Sequence, residues 1–219
     1  MPDHATLTID ISGYWHSGTG RGSGSHLDAL VDTAYDGLPY LSGRHLKGLL
    51  RDAVYKAEEW GQLDAFKADH PDAKLTELLF GKRYENPETR IPRDETTQGY
   101  LRIGDGLLPT DLRRWLAHRD QDAWRPFLHR ELSCTAINGS TGVAKSRSLR
   151  SIQVTVPLRL EADIGSMPRL DGNPEEDALL ADQWPAILAH CLPLIRAVGA
   201  QRARGLGRAR LQLHGGVSG

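Results

Sequence analysis

Residues 42–60 have the pattern of an amphipathic helix that begins after a capping serine. Ser42 stands where its hydroxyl can accept a hydrogen bond from a backbone N–H group of the first turn. Apolar residues then recur at three- and four-residue intervals, which places them on one face of a helix. These residues are Leu46, Leu49, Leu50, Ala53, Val54, Ala57 and Trp60. We therefore predict a helix that is packed onto a core through this face.

Four basic side chains lie in the first turns of the same helix, off its apolar face: Arg44, His45, Lys47 and Arg51. The start of a helix already carries partial positive charge, so cations placed there are unfavourable unless an anion sits nearby. We therefore predict that this helix binds phosphate groups. The alternative is that Lys47 merely pairs with a neighbouring acid such as Glu58.

The net charge of the chain does not suggest a nucleic-acid ligand, but the distribution of its charged residues does. The net charge is only −1, but five arginines and no acid follow Asp182. Acidic residues are likewise absent between Glu131 and Glu161, where Lys145, Arg147, Arg150 and Arg159 occur. Segregated charge of this kind predicts a basic face, and the basic face is what matters for binding phosphates.

Alternation of apolar and polar residues predicts four strands. They lie at residues 7–11, 100–103, 152–160 and 209–213. Pro157 falls within the third of these, where it indicates an edge position or a break. We expect these strands to form the sheet onto which the helix packs.

A second core helix is expected between Leu179 and Ile195, after an acidic loop around residues 171–177. Pro193 should kink this helix, because proline has no N–H group to donate. The core elements then run strand, helix, strand, strand, helix, strand. This is the βαββαβ order of a ferredoxin-like or RRM-like domain, which belongs to the α+β class.

Two insertions and one hairpin interrupt this core. We expect a single domain over residues 1–219, with insertions at about 62–98 and about 106–131. A protruding β-hairpin is expected at about 135–155, because residues 138–142 have the composition of a turn. Basic side chains follow on the return strand of this hairpin.

Cysteine usage and hydropathy indicate an intracellular protein. Cys134 and Cys191 are the two cysteines and have no metal-ligand spacing, so we expect reduced thiols. No apolar run approaches the roughly 20 residues of a membrane span. The polar N-terminus does not resemble a secretory signal. We expect a cytoplasmic protein that does not associate with membranes.

Three segments resemble the RAMP superfamily of CRISPR proteins. Residues 38–51, Leu-Pro-Tyr-Leu-Ser-Gly-Arg-His-Leu-Lys-Gly-Leu-Leu-Arg, resemble its Pro-Gly-Ser-Ser-Leu-Lys-Gly-x-x-Arg motif. The chain departs from that motif at Ser42, where the family has proline, and at Arg44-His45, where it has two serines. Residues 199–207 look like the C-terminal glycine-rich loop of the family. Residues 138–156 are similar to the thumb hairpin of the backbone subunits of type III effector complexes.

The resemblance implies a backbone subunit that holds CRISPR RNA. Several copies would stack along the guide and associate with target RNA, with other RAMP subunits and with the large subunits of the complex. The residues expected to bind RNA are Arg44, His45, Lys47, Arg51, Gly199, Arg202, Arg204, Gly205 and Gly207. The expected thumb residues are Ile137, Asn138, Val143 and Lys145, and the two apolar ones, Ile137 and Val143, are expected to separate bases. Alternatively, the arginines are solvated loop charges, and Ile137 and Val143 pack within the hairpin.

The resemblance also implies a catalytic aspartate. Target-cleaving members carry an aspartate ahead of the Leu-Lys-Gly motif, and Leu27-Asp28 matches that place. Asp28 would then act in a metal-dependent endoribonuclease, as ligand of a loosely bound Mg²⁺ or other divalent cation. The alternative is that Asp28 is a solvated loop acid, like Asp32 and Asp36.

Three other functions remain open on the sequence. The chain could be a non-catalytic architectural or capping RAMP subunit. It could be a RAMP endonuclease that matures the CRISPR transcript, using His16 or His26 with Tyr14 as an acid–base pair. It could also be a generic RNA-binding domain, although its predicted strands offer few of the aromatic side chains with which an RRM stacks bases.

Overall fold

A computed structural model describes residues 4–18, 29–68, 70–82, 97–169 and 174–215 of the chain. In these residues the strands are β1 (His4–Ile11), β2 (Leu101–Ile103), β3 (His129–Cys134), β4 (Arg150–Thr155), β5 (Arg159–Ser166) and β6 (Ala209–His214). The helices are α1 (Gly43–Glu59), α2 (Leu75–Phe80), α3 (Thr110–Ala117) and α4 (Pro174–Cys191). No helix among the described residues is long and apolar enough to span a bilayer.

Four strands form the central antiparallel sheet in the order β2-β5-β1-β6. Leu7 of β1 pairs with Ala162 of β5 on one side and with Leu213 of β6 on the other. The helix α1 connects β1 to β2, and α4 connects β5 to β6. This arrangement confirms the predicted α+β class and the ferredoxin-like βαββαβ core.

The core lies between the sheet and the two long helices. Leu7 and Ile9 of β1 are fully buried beneath the apolar face of α1, as are Trp184 and Ile187 of α4. The expected face of α1 is buried from Leu46 to Ala57. Trp60 is the exception, because α1 ends at Glu59 and the Trp60 side chain is 61% exposed.

The expected third core strand is two strands. The chain breaks between β4 and β5 at residues 156–158, which contain Pro157. Pro157 cannot donate a ladder hydrogen bond, which is the reason for a break at this position. As a result, β5 belongs to the central sheet, whereas β4 pairs with β3 in a separate two-stranded sheet. The hairpin therefore begins at His129, earlier than the expected residue 135.

The second core helix also differs from its expected limits. It begins at Pro174, so the acidic residues Glu175, Glu176 and Asp177 form its first turn instead of a loop. Carboxylates at a helix start interact favourably with the helix dipole. The helix ends at Cys191, and Pro193 lies in a short 3₁₀ turn beyond it, so the proline terminates the helix and does not kink it.

Both expected insertions contain helical segments. The insertion at about 62–98 contains a 3₁₀ turn, Asp64–Lys67, followed by α2. Residues 69 and 83–96 of this insertion lie outside the described residues. The second insertion contains α3 and a 3₁₀ run, Arg119–Leu128, that leads directly into β3.

Candidate nucleic-acid interface

The start of α1 is capped by two groups of the protein itself. The Ser42 hydroxyl accepts a hydrogen bond from the His45 backbone N–H at 3.3 Å, as the sequence predicts. The carboxylate of Asp105 accepts one from the Gly43 N–H at 2.6 Å. An internal anion therefore already faces the positive end of the helix. The end of the helix therefore does not need an external phosphate, and what α1 offers to an anion is the side of its first turns.

That side carries a row of cations. Arg44 is exposed, and Lys47 and Arg51 are half-buried at the spacing of one helix face. Burial, and then the charge of Arg51, lowers the pKa of Lys47 below its ordinary value. No acid among the described residues lies within ion-pair distance of Lys47. Its expected alternative partner, Glu58, instead accepts hydrogen bonds from the first turn of α2.

The segment that resembles the glycine-rich loop forms a closed loop, residues 197–208, which we call the glycine loop. Its ends meet in an antiparallel bridge between Ala197 and Arg208. The loop is bonded to the segment that follows β1: the Gly207 N–H donates to the Tyr14 carbonyl at 2.8 Å. The Ala200 N–H donates to the carbonyl of His16 at 2.7 Å.

Two glycines of this loop are required by packing. Gly207 has φ +74°, and a Cβ there would lie 1.8 Å from the Val198 carbonyl oxygen. Gly199 has φ +78°, and its Cβ would lie 2.6 Å from the carbonyl oxygen of His16. Both are buried against protein, so they shape the loop and are not free to approach a phosphate. Gly205, at φ +88° with nothing within 4 Å of a Cβ, is the exposed glycine of the expected set.

A hydrogen bond joins the glycine loop to α1. The backbone N–H of Gly199 donates to Nε2 of His45 at 2.9 Å, across 154 residues of sequence. Burial, and then the charge of Arg202, lowers the pKa of the His45 imidazole below its ordinary value. A neutral ring whose Nε2 accepts must carry its proton on Nδ1. His45 thus links the two segments and is not a free cation as the sequence suggested.

The charge of Arg202 acts on the His45 imidazole, so this arginine lies close to the first turn of α1. Arg202 and Arg204 occupy an exposed 3₁₀ turn that lies between two left-handed residues, Gln201 and Gly205. Among the described residues no acid lies within ion-pair distance of either arginine. We call the five side chains at this junction the basic surface. They are Arg44, Lys47, Arg51, Arg202 and Arg204.

The β3–β4 hairpin extends away from the core, and its tip is closed by its own turn. The Asn138 N–H donates to the Val143 carbonyl at 2.8 Å, and its side-chain oxygen accepts from Ser140, so Asn138 holds the turn. Ile137 and Val143 are each 63% exposed, which does not fit the alternative that they pack within the hairpin. Lys145 is exposed in the segment that leads from the tip to β4.

Asp28 lies outside the described residues, but the acids that follow it are described. Asp32 accepts a hydrogen bond at 2.9 Å from the Tyr40 hydroxyl and thereby raises the pKa of Tyr40. Asp36 accepts one from Nε of Arg113 at 2.6 Å. Neither is the solvated loop acid that the sequence suggested. Within the described ranges, no group of three or more potential metal ligands converges.

The base of the hairpin is bonded to the chain on either side of residues 19–28. The Gln153 N–H donates to the carbonyl of Ala29 at 3.0 Å. Nδ1 of His16 donates to the carbonyl of Gln153 at 2.7 Å, and the His16 residue is only 4% exposed. A histidine buried in this way is poorly placed as the acid or base of a transcript-maturing endonuclease. His26, the other candidate, lies outside the described residues.

One residue of this interface was missed in the sequence. Asp105 lies just after β2, and its contact with Gly43 spans 62 residues. No local pattern could have indicated that contact. A glycine on each side of Asp105 was the sole hint that the backbone comes close to another element there.

Comparison with known proteins places this geometry in a family. A model of the RAMP superfamily matches residues 8–210. No curated protein matches the chain significantly. Similar solved structures include chains from cryo-EM structures of the type III-B Cmr-β complex, one bound to cognate target RNA and one in the apo state. Their TM-scores are 0.60 and 0.56, at 11% identity and with 96% of each chain covered. Because the family model spans most of the 219 residues, the chain belongs to the RAMP superfamily.

Proposed function

We propose that this protein is a backbone subunit of a type III CRISPR effector complex and that its basic surface holds the CRISPR RNA. The observation that carries the proposal is the hydrogen bond between Gly199 and His45. It brings the two segments that resemble the RAMP motifs into direct contact. Membership of the superfamily and the likeness of the fold to chains of a type III-B complex support this function.

The basic surface suits a sugar–phosphate chain of any sequence. Its charges lie on a helix face and on a short exposed turn, where they can contact phosphates, and phosphate contacts carry no direct sequence information. Each phosphate that a cation neutralises releases counterions, so affinity should fall steeply with salt. A guide-binding subunit must accept many guides, and contacts of this kind allow it to do so.

The hairpin supports stacking along a bound guide. Two exposed apolar side chains, Ile137 and Val143, lie near its tip, and neither contacts the core. Apolar side chains inserted between bases unstack them, at a cost of a few kcal/mol per step. A hairpin that inserts at regular intervals would require several copies of this chain along one guide RNA. Other RAMP subunits and a large subunit would complete the complex in the cytoplasm.

We further propose that Asp28 takes part in cleavage of the target RNA. The described acids nearest in sequence are both held by protein groups: Asp32 by Tyr40 and Asp36 by Arg113. Asp28 would therefore be the principal protein ligand of a Mg²⁺ ion that is otherwise held by water and phosphate oxygens. Such an ion would offset negative charge on the scissile phosphate. The neighbouring Ala29 is bonded to the foot of the hairpin, and a nucleobase displaced by this hairpin would help to fix the RNA backbone for cleavage.

Native mass spectrometry of the complex purified through this chain, with its RNA sequenced, tests the assignment. A backbone subunit should appear in several copies on one CRISPR RNA. A single copy per complex would indicate a capping subunit and would contradict the stacking proposal. Isolation of the chain without partners, together with cutting of repeat RNA, would indicate a transcript-maturing endonuclease.

Target cleavage is tested separately with Asp28→Ala. We expect this variant to assemble normally and to lose target cleavage, and we expect a metal chelator to have the same effect on the unaltered complex. Asp72→Ala, which changes an exposed acid in the first insertion, is the matched control and should cleave fully. Full cleavage by Asp28→Ala would show that this residue has no catalytic role.

A further inference from the structure

A pocket of about 450 Å³ opens beside the turn that precedes α1. Its wall includes Tyr35 and Asp36 of that turn, Arg113 of α3, and Glu161 of β5. None of these residues belongs to the basic surface or to the hairpin. In the sequence, the only mark of this pocket is an aromatic residue inside the turn Tyr35-Asp36-Gly37.

Tyr35 is the most exposed large side chain in this part of the molecule, at 96% of its surface. Its ring lies over the guanidinium of Arg113, with 5.2 Å between Cζ and the ring centroid. The guanidinium is held in turn by the carboxylate of Asp36, at 2.6 Å from Nε. The Asp36 and Arg113 side chains are only 13% and 18% exposed. A planar, supported aromatic ring is therefore presented to solvent.

The turn that carries Tyr35 is well fixed. The Ala34 N–H donates to the Leu38 carbonyl at 2.9 Å, and the Gly37 N–H donates to the Ala34 carbonyl at 2.9 Å. Arg125, from the run that follows α3, donates to the Asp36 carbonyl at 3.3 Å. A ring held in this way loses little conformational entropy when a ligand stacks on it.

The wall of the pocket also holds an unused hydrogen-bond donor. Nη2 of Arg113 is shielded from solvent and has no acceptor among the described residues. A buried donor without an acceptor is costly, and an acceptor supplied by a ligand would relieve that cost. The carbonyl oxygens and ring nitrogens of nucleobases are acceptors of this kind. The carboxylate of Glu161 offers an acceptor for base amino groups in return.

The pocket adjoins the basic surface. Leu107 lines the pocket and lies two residues after Asp105, whose carboxylate binds the Gly43 N–H at the start of α1. Two residues of extended chain span at most about 7 Å. Arg44 directly follows Gly43, so phosphates gripped at the start of α1 would lie near the Leu107 wall of this pocket.

We propose that this pocket receives one unpaired nucleobase of the bound RNA, stacked on Tyr35. The inference rests on the proposed RNA-binding function and adds a base contact to a surface that otherwise contacts only phosphates. A base fits better than a peptide side chain, because the ring, the guanidinium behind it and the free donor together match a flat, polar-edged ligand.

Fluorescence anisotropy of the full chain with two probes tests the proposal. One probe is a short single-stranded RNA and the other is an abasic sugar–phosphate oligomer of the same length. We expect Tyr35→Ala to weaken RNA binding at least about fivefold, as for other base–aromatic stacks, and to leave abasic binding unchanged. Tyr35→Phe keeps the ring and should bind RNA normally. Trp60→Ala, which removes an exposed ring at the other end of α1, is the matched control.

Three results would overturn the inference, and each has a different consequence for the proposed function. If Tyr35→Ala binds RNA as tightly as the unaltered chain, while Lys47→Ala binds more weakly, the base site is wrong and the RNA-binding function stands. If Tyr35→Ala binds RNA normally but is lost from the assembled complex, the ring contacts a neighbouring protein. If the unaltered chain binds neither probe, the proposed function fails together with the base site.

Discussion

The junction of α1 with the glycine loop and the β3–β4 hairpin are both assigned to RNA, yet they are constructed in opposite ways. At the junction, Gly199, Gly207 and His45 are committed to contacts within the protein, whereas the side chains of Arg44, Arg202 and Arg204 are exposed to solvent. The hairpin has almost no contact with the core beyond its base, and its tip is exposed. Function at the junction therefore depends on folding, whereas function at the hairpin tip should be separable from stability.

The largest expected effect is at Gly207. Gly207→Ala would place a methyl group 1.8 Å from the Val198 carbonyl oxygen, in a backbone conformation that disfavours a side chain. We expect the free energy of unfolding to fall by about 3 kcal/mol or more, measured by urea denaturation.

Gly205→Ala is the matched control for this prediction. Gly205 has a similar positive φ but nothing within 4 Å of a Cβ, so only the backbone cost of about 1 kcal/mol should appear. Equal losses in the two variants would mean that the loop is not packed against its own base, and the contrast with the hairpin would disappear.

The hairpin should show the reverse behaviour. Because Ile137 and Val143 are mostly exposed, the double change Ile137→Ser with Val143→Ser should leave the unfolding free energy within about 0.5 kcal/mol. In the assembled complex we expect it to abolish the rise in 2-aminopurine fluorescence that reports an unstacked base of the guide.

Leu149→Ser serves as the control in the same hairpin. Leu149 is 72% exposed but lies away from the tip, so this variant should keep the fluorescence rise. If the tip variant unfolds at lower denaturant, or if both variants lose the signal equally, the hairpin does not act through its two apolar tip residues.

The smallest expected effect is a pH dependence that originates at the junction. Burial and Arg202 hold the pKa of His45 below its ordinary value of 6.5, so on acidification the unfolded chain takes up this proton first. The stability that neutral His45 provides is therefore present above pH 6.5 and is lost as the pH falls through the lowered pKa.

His45→Gln isolates this contribution, because glutamine can accept from the Gly199 N–H group but does not titrate. Unfolding free energies measured from pH 8 down to pH 5 should fall less steeply for this variant than for the unaltered chain. Burial also lowers the pKa of His129, but His129 is present in both proteins, so its contribution to the pH dependence is the same in each. Parallel curves would show that His45 is not buried at the junction.

Sequence reasoning succeeded where the pattern is local. The apolar spacing of α1 and the alternation in β1 each depend on a few neighbouring residues, and both predictions are confirmed. The element order then sufficed to predict the βαββαβ core. Trp60 was assigned to the buried face because periodicity alone does not show where a helix ends.

The parts that were missed depend on contacts between distant segments. Asp105 caps α1 from 62 residues away, and position 199 requires glycine because the backbone of His16 packs directly against it. A sequence pattern marks such residues as a turn or a loop but cannot show what they touch. For the same reason, the sequence suggested that His45 is a cation that binds RNA. In the structure it is a neutral side chain that joins α1 to the glycine loop.

The central claim is that α1 and the glycine loop bind one RNA strand together, and the salt dependence of RNA affinity tests it most directly. Each phosphate contact contributes about 0.9 to the slope of log affinity against log salt in duplex DNA and about 0.7 in single strands. Lys47→Ala and Arg202→Ala should each reduce the slope by about one such step, and the double variant by about two steps. Lys56→Ala, which removes a lysine paired with Asp52 on α1, should leave the slope unchanged. A slope in the double variant equal to that of the unaltered chain would contradict the claim.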